Sequence, residues 1–385
     1  VKKRNTNHFL EKPLFQKWKK NNYLSFQGTY IEINLKNLKS NIDFLKKHLN
    51  PNTKIMCVVK AFAYGADPIT ISNFFQKSNI DYLAVAYTSE GVELRSSGIE
   101  LPILVLHPQF DDFDLIDKYN LEPNIYSFRI LKKFLSKSYK VPFHLKFNTG
   151  LNRLGFKIDD VEKLYQFLGE NSNIKYLFSH LGASDDLNEK SHTIDQIELF
   201  ELISKKMNAM FGKVFKKHLL NTSGILNYSD YQYNMVRTGI GVYGYGNDSV
   251  YKEKFKPVLS LKSVISQIHE VKKGDSVGYN RGFIAEKKHK IAIIPIGHAD
   301  GISRNLGHGK ISFYINNQKA KTIGNICMDM LMVDVSGIKC EEGDVVIIMD
   351  EYNQTAEDIG DVAGTISYEI LTALSSRIKR IIIDA

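Results

Sequence analysis

At 385 residues, 43% hydrophobic and 24% charged, the chain is long enough for two or three domains and has the balance of a soluble globular protein with a sizeable core. A membrane span is excluded because no apolar run approaches ~20 residues, and the polar, basic N-terminus lacks the apolar core of a signal peptide. The net charge of +9 comes from scattered lysines and arginines with only small clusters, such as Lys17-Trp18-Lys19-Lys20 and Lys287-Lys288-His289-Lys290, which speaks for solvated faces and a small anionic ligand rather than nucleic acid.

Residues 1–28 carry much Lys and Asn with little apolar periodicity and read as a partly disordered N-terminal extension. Residues 29–35 alternate as Tyr30-Ile31-Glu32-Ile33-Asn34 and predict a strand, and Leu38, Ile42, Leu45 and Leu49 then mark a helix stripe. From residue 54 apolar strands alternate with amphipathic stretches, at 54–59, 82–86, 103–106, 122–126, 143–147, 176–180, 218–221 and 235–240. Stretches of about a dozen residues between them suit crossovers between parallel strands. Eight such units over 36–256 predict an α/β fold, a (β/α)8 barrel of the TIM type, with a doubly wound open sheet as the structural alternative. After about residue 256 short alternating strands with polar turns take over, at 259–271, 290–296, 310–315, 330–335 and 344–349. They predict a C-terminal all-β domain over 257–385, which strand 29–35 joins. Cys57, Cys327 and Cys340 stand at no metal-ligand spacing, and their odd number points to a reducing cytoplasm.

Active sites of such barrels lie at the C-terminal ends of the strands. In Cys57-Val58-Val59-Lys60-Ala61-Phe62-Ala63-Tyr64-Gly65 a buried strand ends in Lys60. That lysine is either a Schiff-base lysine with a pKa lowered by burial, or a strand-end lysine reaching into water. Tyr64 and Gly65 offer a hydroxyl and a bare backbone to a phosphate. Other strand ends bring Lys146 with the loop from Asn148 to Gly155, His180, Asn221-Thr222-Ser223, and Arg237-Thr238-Gly239-Ile240. Each has an ordinary reading: His180 as a core histidine, Arg237 paired to a helix carboxylate, Thr222 as a helix cap. Jointly, these cations, hydroxyls and glycine backbones suit an anionic, phosphate-bearing cofactor better than a metal, since no carboxylate–histidine cluster has ligand spacing.

Six motifs in order, covering about 29–381, resemble those of alanine racemases: V-V-K-A-F-A-Y-G at 58–65, H-L-K-F-N-T-G-L-N-R-L-G at 144–155, V-R-T-G-I-G-V-Y-G at 236–244, V-G-Y-N-R-G-F at 277–283, I-C-M-D-M-L-M-V-D-V at 326–335 and S-Y-E-I-L-T-A-L-S-S-R at 367–377. The resemblance implies an enzyme of the pyridoxal 5'-phosphate (PLP) fold type III class that interconverts L- and D-alanine with two bases and supplies D-alanine for peptidoglycan. It implies a homodimer with shared active sites. Lys60 would bind PLP covalently and act as one base, and Tyr279 of the partner subunit as the other. Arg237 would face the pyridine nitrogen, with His180 and Asn221 near the ring. Tyr64, Thr222, Gly239, Ile240 and Tyr368 would hold the phosphate. Arg153 and the partner's Met328 backbone would position the substrate carboxylate. Lys146 matches a lysine often carbamylated in the family, which would orient Arg153.

Removing a proton from one face and returning one to the other calls for two opposed groups of suitable pKa. An arginine at the pyridine nitrogen does not readily protonate it, which weakens the electron sink and suppresses transamination. Two residues depart from the family pattern: His298 stands where many members carry tyrosine in the substrate passage, and Asn148 replaces an aspartate. The alternatives are a serine or broad-specificity amino-acid racemase and a non-catalytic PLP-binding protein. Carriers of the latter kind resemble the barrel alone, so the β-domain with Tyr279 argues against that reading. A decarboxylase of the same barrel type would place a carboxylate at the pyridine nitrogen.

Overall fold

The computed structural model describes residues 28–170, 172–246 and 250–384. Apart from Gly28, the extension expected over 1–28 lies outside the described residues. The chain divides into two compact units. One holds Glu32–Ser260, Met349–Ser376 and the residues from Arg380 on; the other holds the residues up to Ile31, Leu261–Ile348 and Arg377–Lys379.

Strand β1 (Tyr30–Asn34) leads into the helix Leu35–Lys46. Asn34 caps that helix by accepting a 2.8 Å hydrogen bond from the Asn37 N–H. Leu38, Ile42 and Leu45 of the predicted stripe are fully buried, a contribution of about 1.5–3 kcal/mol each. Leu49 follows the helix end rather than continuing its stripe.

Eight parallel strands then close a barrel: β2 (Lys54–Val58), β3 (Tyr82–Val85), β4 (Ile103–Val105), β5 (Glu122–Ile125), β6 (Phe143–Lys146), β7 (Ile174–Phe178), β8 (Lys216–His218) and β9 (Met235–Thr238). Each pairs with the next in sequence, and β9 pairs back onto β2, so the open-sheet alternative is excluded. Every predicted barrel strand is found; β7 and β8 begin two residues earlier than expected. The start of β8 was hidden by lysines: Lys217 lies over the Tyr233 ring at 4.1 Å and reaches Glu201 at 2.9 Å, so its stem packs while its charge is paired. Met56, Tyr82, Leu104, Tyr176 and Met235 form an apolar cluster in the barrel core. Polar side chains are buried with them: Glu122, Asn124, His144, His218 and Arg237.

The other unit holds most of β10 (Leu259–Val264), β11 (Gln267–Val271), β12 (Ser276–Val277), β13 (Phe283–Ile284), β14 (His289–Ile294), β15 (Ser312–Ile315), β16 (Gln318–Ile323), β17 (Leu331–Asp334) and β18 (Val345–Met349), while β19 (Lys379–Ile383) falls mostly in the barrel unit. The main sheet runs β11-β14-β17-β16-β15-β18-β10-β1-β19, and β12 pairs with β13 in a separate ribbon. The single strand expected at 259–271 is two strands. The chain breaks at Ile265 and Ser266, whose N–H groups go to Asp344 O (2.9 Å) and Ile293 O (2.8 Å).

By compactness, the stretch expected as one domain at 257–385 is shared between the two units. Residues Met349–Ser376, with the helices Ala356–Ala363 and Ser367–Ala373, belong to the barrel unit. Gly65 makes this approach possible: its φ is +81°, and a Cβ there would stand 2.0 Å from Leu371 O. Arg380 adds a clamp, donating from Nη2 to Gly65 O (2.9 Å) and from Nε to Ala66 O (2.9 Å). Among the described residues no helix is long and apolar enough to cross a membrane, and the three cysteines are free.

Candidate active site

A cavity of about 640 Å³ opens where the barrel strands end. Lys60, Lys146, Arg153 and Arg237 line it, and among the described residues no Asp or Glu does. Tyr64, His180, Asn221, Thr222, Gly239, Ile240 and Tyr368 line the same space. Four cations and several neutral donors thus converge without an anion among the described lining side chains. Such a site favours a ligand that brings its own negative charge.

Lys60 follows β2 and opens a left-handed turn. Ala61, Phe62, Ala63 and Tyr64 have φ of 53°, 55°, 50° and 54°, a conformation that costs about 1–2 kcal/mol per residue. Specific contacts hold it: Glu90 Oε1 accepts from the Ala61 N–H at 2.7 Å, and the Ala63 N–H donates to Val59 O at 3.1 Å. The turn brings Tyr64 back beneath the cavity, stacked on Tyr243 with centroids 4.6 Å apart. Gly239 must lack a side chain here, since a Cβ would lie 2.3 Å from Tyr64 Oη. Burial, with the Arg153 cation second, pulls the Lys60 amine below its ordinary range, against an opposing pull from Glu90.

Lys146 ends β6 and is buried, its Nζ 5.4 Å over the Phe178 ring. Among the described residues it makes no hydrogen bond or ion pair. Burial, then Arg153, Arg237 and Lys60, bring its amine down to about 7. Arg153 is exposed at the cavity wall and likewise has no hydrogen-bonded partner among the described residues.

Arg237, on β9, is 4% exposed. Its Nη2 donates to Ser179 O (2.7 Å) and Leu219 O (2.8 Å) and contacts His180 Nδ1 at 3.2 Å. Its Nη1 donates to His218 Nδ1 at 2.5 Å. Burial, followed by the Arg237 charge, holds both His180 and His218 well below the usual histidine range. Asn221 caps the helix Thr222–Asn227 through Gly224 N–H (2.9 Å) and accepts from Ser184 Oγ (2.7 Å). The hydroxyl of Thr222 meets that of Thr238 at 3.1 Å.

Tyr279 and Met328 lie in the other unit, on a separate open cavity of about 910 Å³. They are 69% and 59% exposed. A tight turn presents Tyr279: Gly278 and Asn280 have φ of 76° and 57°, and Asn325 Nδ2 donates to Tyr279 O at 2.9 Å. His298 starts a short turn with its side chain exposed, its N–H bonded to Cys327 O at 2.9 Å. Asn148 organises the loop after β6. Its Oδ1 accepts from the N–H groups of Gly150 (3.2 Å) and Asn152 (2.9 Å), and its Nδ2 donates to Asn152 Oδ1 (2.9 Å). An aspartate could make the first two bonds but not the third.

Three contributors escaped the sequence reading. Glu90 sits at the third position of the helix Thr88–Ser96 and also accepts from the Ala86 and Tyr87 N–H groups, at 2.7 and 3.0 Å. Its capping-box position was the available signal. His218 and Ser179 meet Arg237 only through the barrel's closure, which no local pattern announces.

Residues 33–247 match the family described as alanine racemase, N-terminal domain, and residues 258–382 match alanine racemase, C-terminal domain. An alanine racemase of Clostridium novyi is 36% identical over 374 residues, covering 92% of this chain and 95% of its own length. One of Fusobacterium nucleatum is 36% identical over 365 residues, covering 92% and 99%. The solved alanine racemase of Clostridium difficile superposes with a TM-score of 0.87 at 32% identity, covering 94% of this chain and 97% of that one. The Bartonella henselae alanine racemase, solved with covalently bound pyridoxal phosphate, gives 0.85 at 27% identity over 93% of this chain and all 100% of that one. Matched along both units by the family's two domains, the chain belongs to the alanine racemase family.

Proposed function

We propose that the protein is a PLP-dependent alanine racemase whose chemistry occurs in the barrel-mouth cavity. One observation carries the reading: four cations surround a cavity with no lining carboxylate among the described residues, and one of them is a lysine delivered by a strand end. The donor set fits PLP. Lys60 Nζ is the amine for its aldehyde, the Tyr64 and Thr222 hydroxyls, the Gly239 and Ile240 backbone and Tyr368 suit its phosphate, and Arg237 suits its pyridine nitrogen, with His180 and Asn221 at the ring. When bound, PLP supplies the electron sink that makes an amino acid's α-proton removable. Lys60 Nζ takes or returns that proton on one face, and Tyr279 Oη of the partner subunit does so on the other. Arg153 and the partner's Met328 backbone hold the substrate carboxylate. Sites shared in this way make the working unit a homodimer. Its free thiols suit the cytoplasm. The test is racemisation of a panel of L-amino acids, with alanine expected to give the highest kcat/KM. Bound PLP without any racemisation would leave a carrier, and a higher value for another amino acid would reassign the substrate.

Lys146 takes up carbon dioxide in this reading: its neutral Nζ adds to CO2 and releases a proton, leaving a carbamate anion among the cations. Only the unprotonated amine reacts, so the carbamate should grow in as pH rises through about 7. A carbamate signal in 13C NMR after incubation with 13C-bicarbonate, absent from Lys146→Ala, is the expected result. Its absence from the parent protein at high pH would remove the carbamate from the site.

His298 bears on substrate choice. It is shorter than the tyrosine many family members carry. A wider passage admits serine beside alanine, so His298→Tyr should lower the ratio of kcat/KM for serine over alanine by about threefold to tenfold. An unchanged ratio would make His298 a packing residue.

A further inference from the structure

Arg237 is backed by a file of buried side chains along the barrel interior. Its Nη1 lies 2.5 Å from His218 Nδ1. His218 Nε2 lies 3.0 Å from His144 Nδ1, and His144 Nε2 lies 2.9 Å from Glu122 Oε2. Glu122 begins β5, at the far end of the barrel from the cavity; there Oε1 accepts from Lys175 Nζ at 2.6 Å and Oε2 from Tyr82 Oη at 3.3 Å. Both histidines have no exposed surface, and Glu122 is 6% exposed.

Donor arithmetic orders the whole file. A guanidinium has no acceptor, so Arg237 donates and His218 Nδ1 must carry a lone pair. The proton of neutral His218 is then on Nε2, which donates to His144 Nδ1. That makes His144 an Nε2–H imidazole as well, donating to Glu122. The order closes without two donors meeting only because the last member, a carboxylate, accepts and cannot donate. Burial favours the neutral form of both rings. The other groups near the two rings do not compete for these nitrogens: Phe178 stacks on His218 at 4.6 Å, Tyr176 lies 5.0 Å from His144, Lys175 donates to Glu122, and Lys146 makes no hydrogen bond to either ring among the described residues. Among the described residues Arg237 keeps its Nε–H and its second Nη1–H unpaired, and the side chain lines the cavity.

We propose that Glu122, acting through His144 and His218, is a positioning residue for Arg237: it fixes the one tautomeric order in which His218 presents a lone pair to the guanidinium and leaves the remaining guanidinium donors for the cavity. This rests on the reading above in which Arg237 faces the pyridine nitrogen. Without the carboxylate the file can reverse. His144 Nδ1–H then donates to His218 Nε2, and His218 Nδ1–H meets the Arg237 N–H head-on. The guanidinium has to turn, and the cofactor's ring loses its fixed donor.

Glu122→Gln tests the idea, because its amide keeps the size, removes the charge and can donate to His144. Glu122→Asp keeps the carboxylate. Histidine labelled with 15N in the PLP-loaded full chain reports the tautomer of each buried ring. Both His144 and His218 are expected as neutral Nε2–H forms in the parent protein and in Glu122→Asp. Glu122→Gln should bring in an Nδ1–H form, shift the pH midpoint of the visible band of bound PLP, and lower kcat by on the order of tenfold with KM nearly unchanged, as a misplaced catalytic group does. An Nδ1–H or doubly protonated ring in the parent protein overturns the proposal, and that spectrum decides even where Glu122→Gln does not fold. A Glu122→Gln protein with a lower Tm but unaltered tautomers, visible band and kcat overturns it as well. The tautomer readout does not depend on turnover, so a failure of the racemase reading would show in the substrate panel and not here.

Discussion

Lys60→Ala should abolish racemisation, a loss on the order of 10⁴-fold or more, because on the proposed assignment it removes covalent attachment and one general base together. The visible absorbance of bound PLP should vanish with it. The physical reason lies in the position of the amine. Lys60 is presented at the cavity by a left-handed turn that Glu90 and Arg380 hold. Burial, then the nearby Arg153, favours its neutral form. A lysine whose pKa is lowered offers a free amine at lower pH than a solvated one, so activity should persist below the ordinary lysine range and fall as acidification protonates the group. Lys146→Ala is the control, since Lys146 lines the same cavity from β6. That variant should keep the absorbance, and a loss of absorbance there with retention in Lys60→Ala would reverse the assignment.

Tyr279→Phe should lower turnover by about 10²–10⁴-fold while leaving the absorbance of bound PLP intact. Tyr279 belongs to the unit that does not carry Lys60. Its exposed ring stands on a tight turn, open to a second copy of the chain. If each site combines Lys60 from one chain with Tyr279 from the other, mixed Lys60→Ala and Tyr279→Phe dimers hold one site with both original residues. Mixing the two inactive proteins under conditions of proven subunit exchange should therefore restore part of the activity. No rescue after exchange, or an active monomer, would contradict a shared site.

The barrel was legible because strands such as β2, β3 and β4 are apolar and the eight are spaced for helical crossovers, while β8 began under lysines. Lys60 and Arg237 stood out because a charge at the end of or within such a run is conspicuous. The turn after Lys60 was not legible. Ala61-Phe62-Ala63-Tyr64 contains no glycine, and its left-handed conformation is held by Glu90 and Arg380, distant in sequence. The return of the helices at 356–373 to the barrel unit depends on the close approach of Gly65 to Leu371, again a non-local contact. Strand β16 was missed because Gln318, Lys319 and Lys321 are exposed and only Ala320, Thr322 and Ile323 face inward. Glu122 and His144 were passed over as lone polar residues on strands, and only barrel closure shows them joined behind Arg237.

Borohydride reduction of the PLP-loaded protein, followed by peptide mapping, tests the central claim most directly. A single reduced pyridoxyl group is expected, on the peptide containing Lys60. A pyridoxyl group on Lys146 or on any other lysine would contradict it and move the site of chemistry elsewhere.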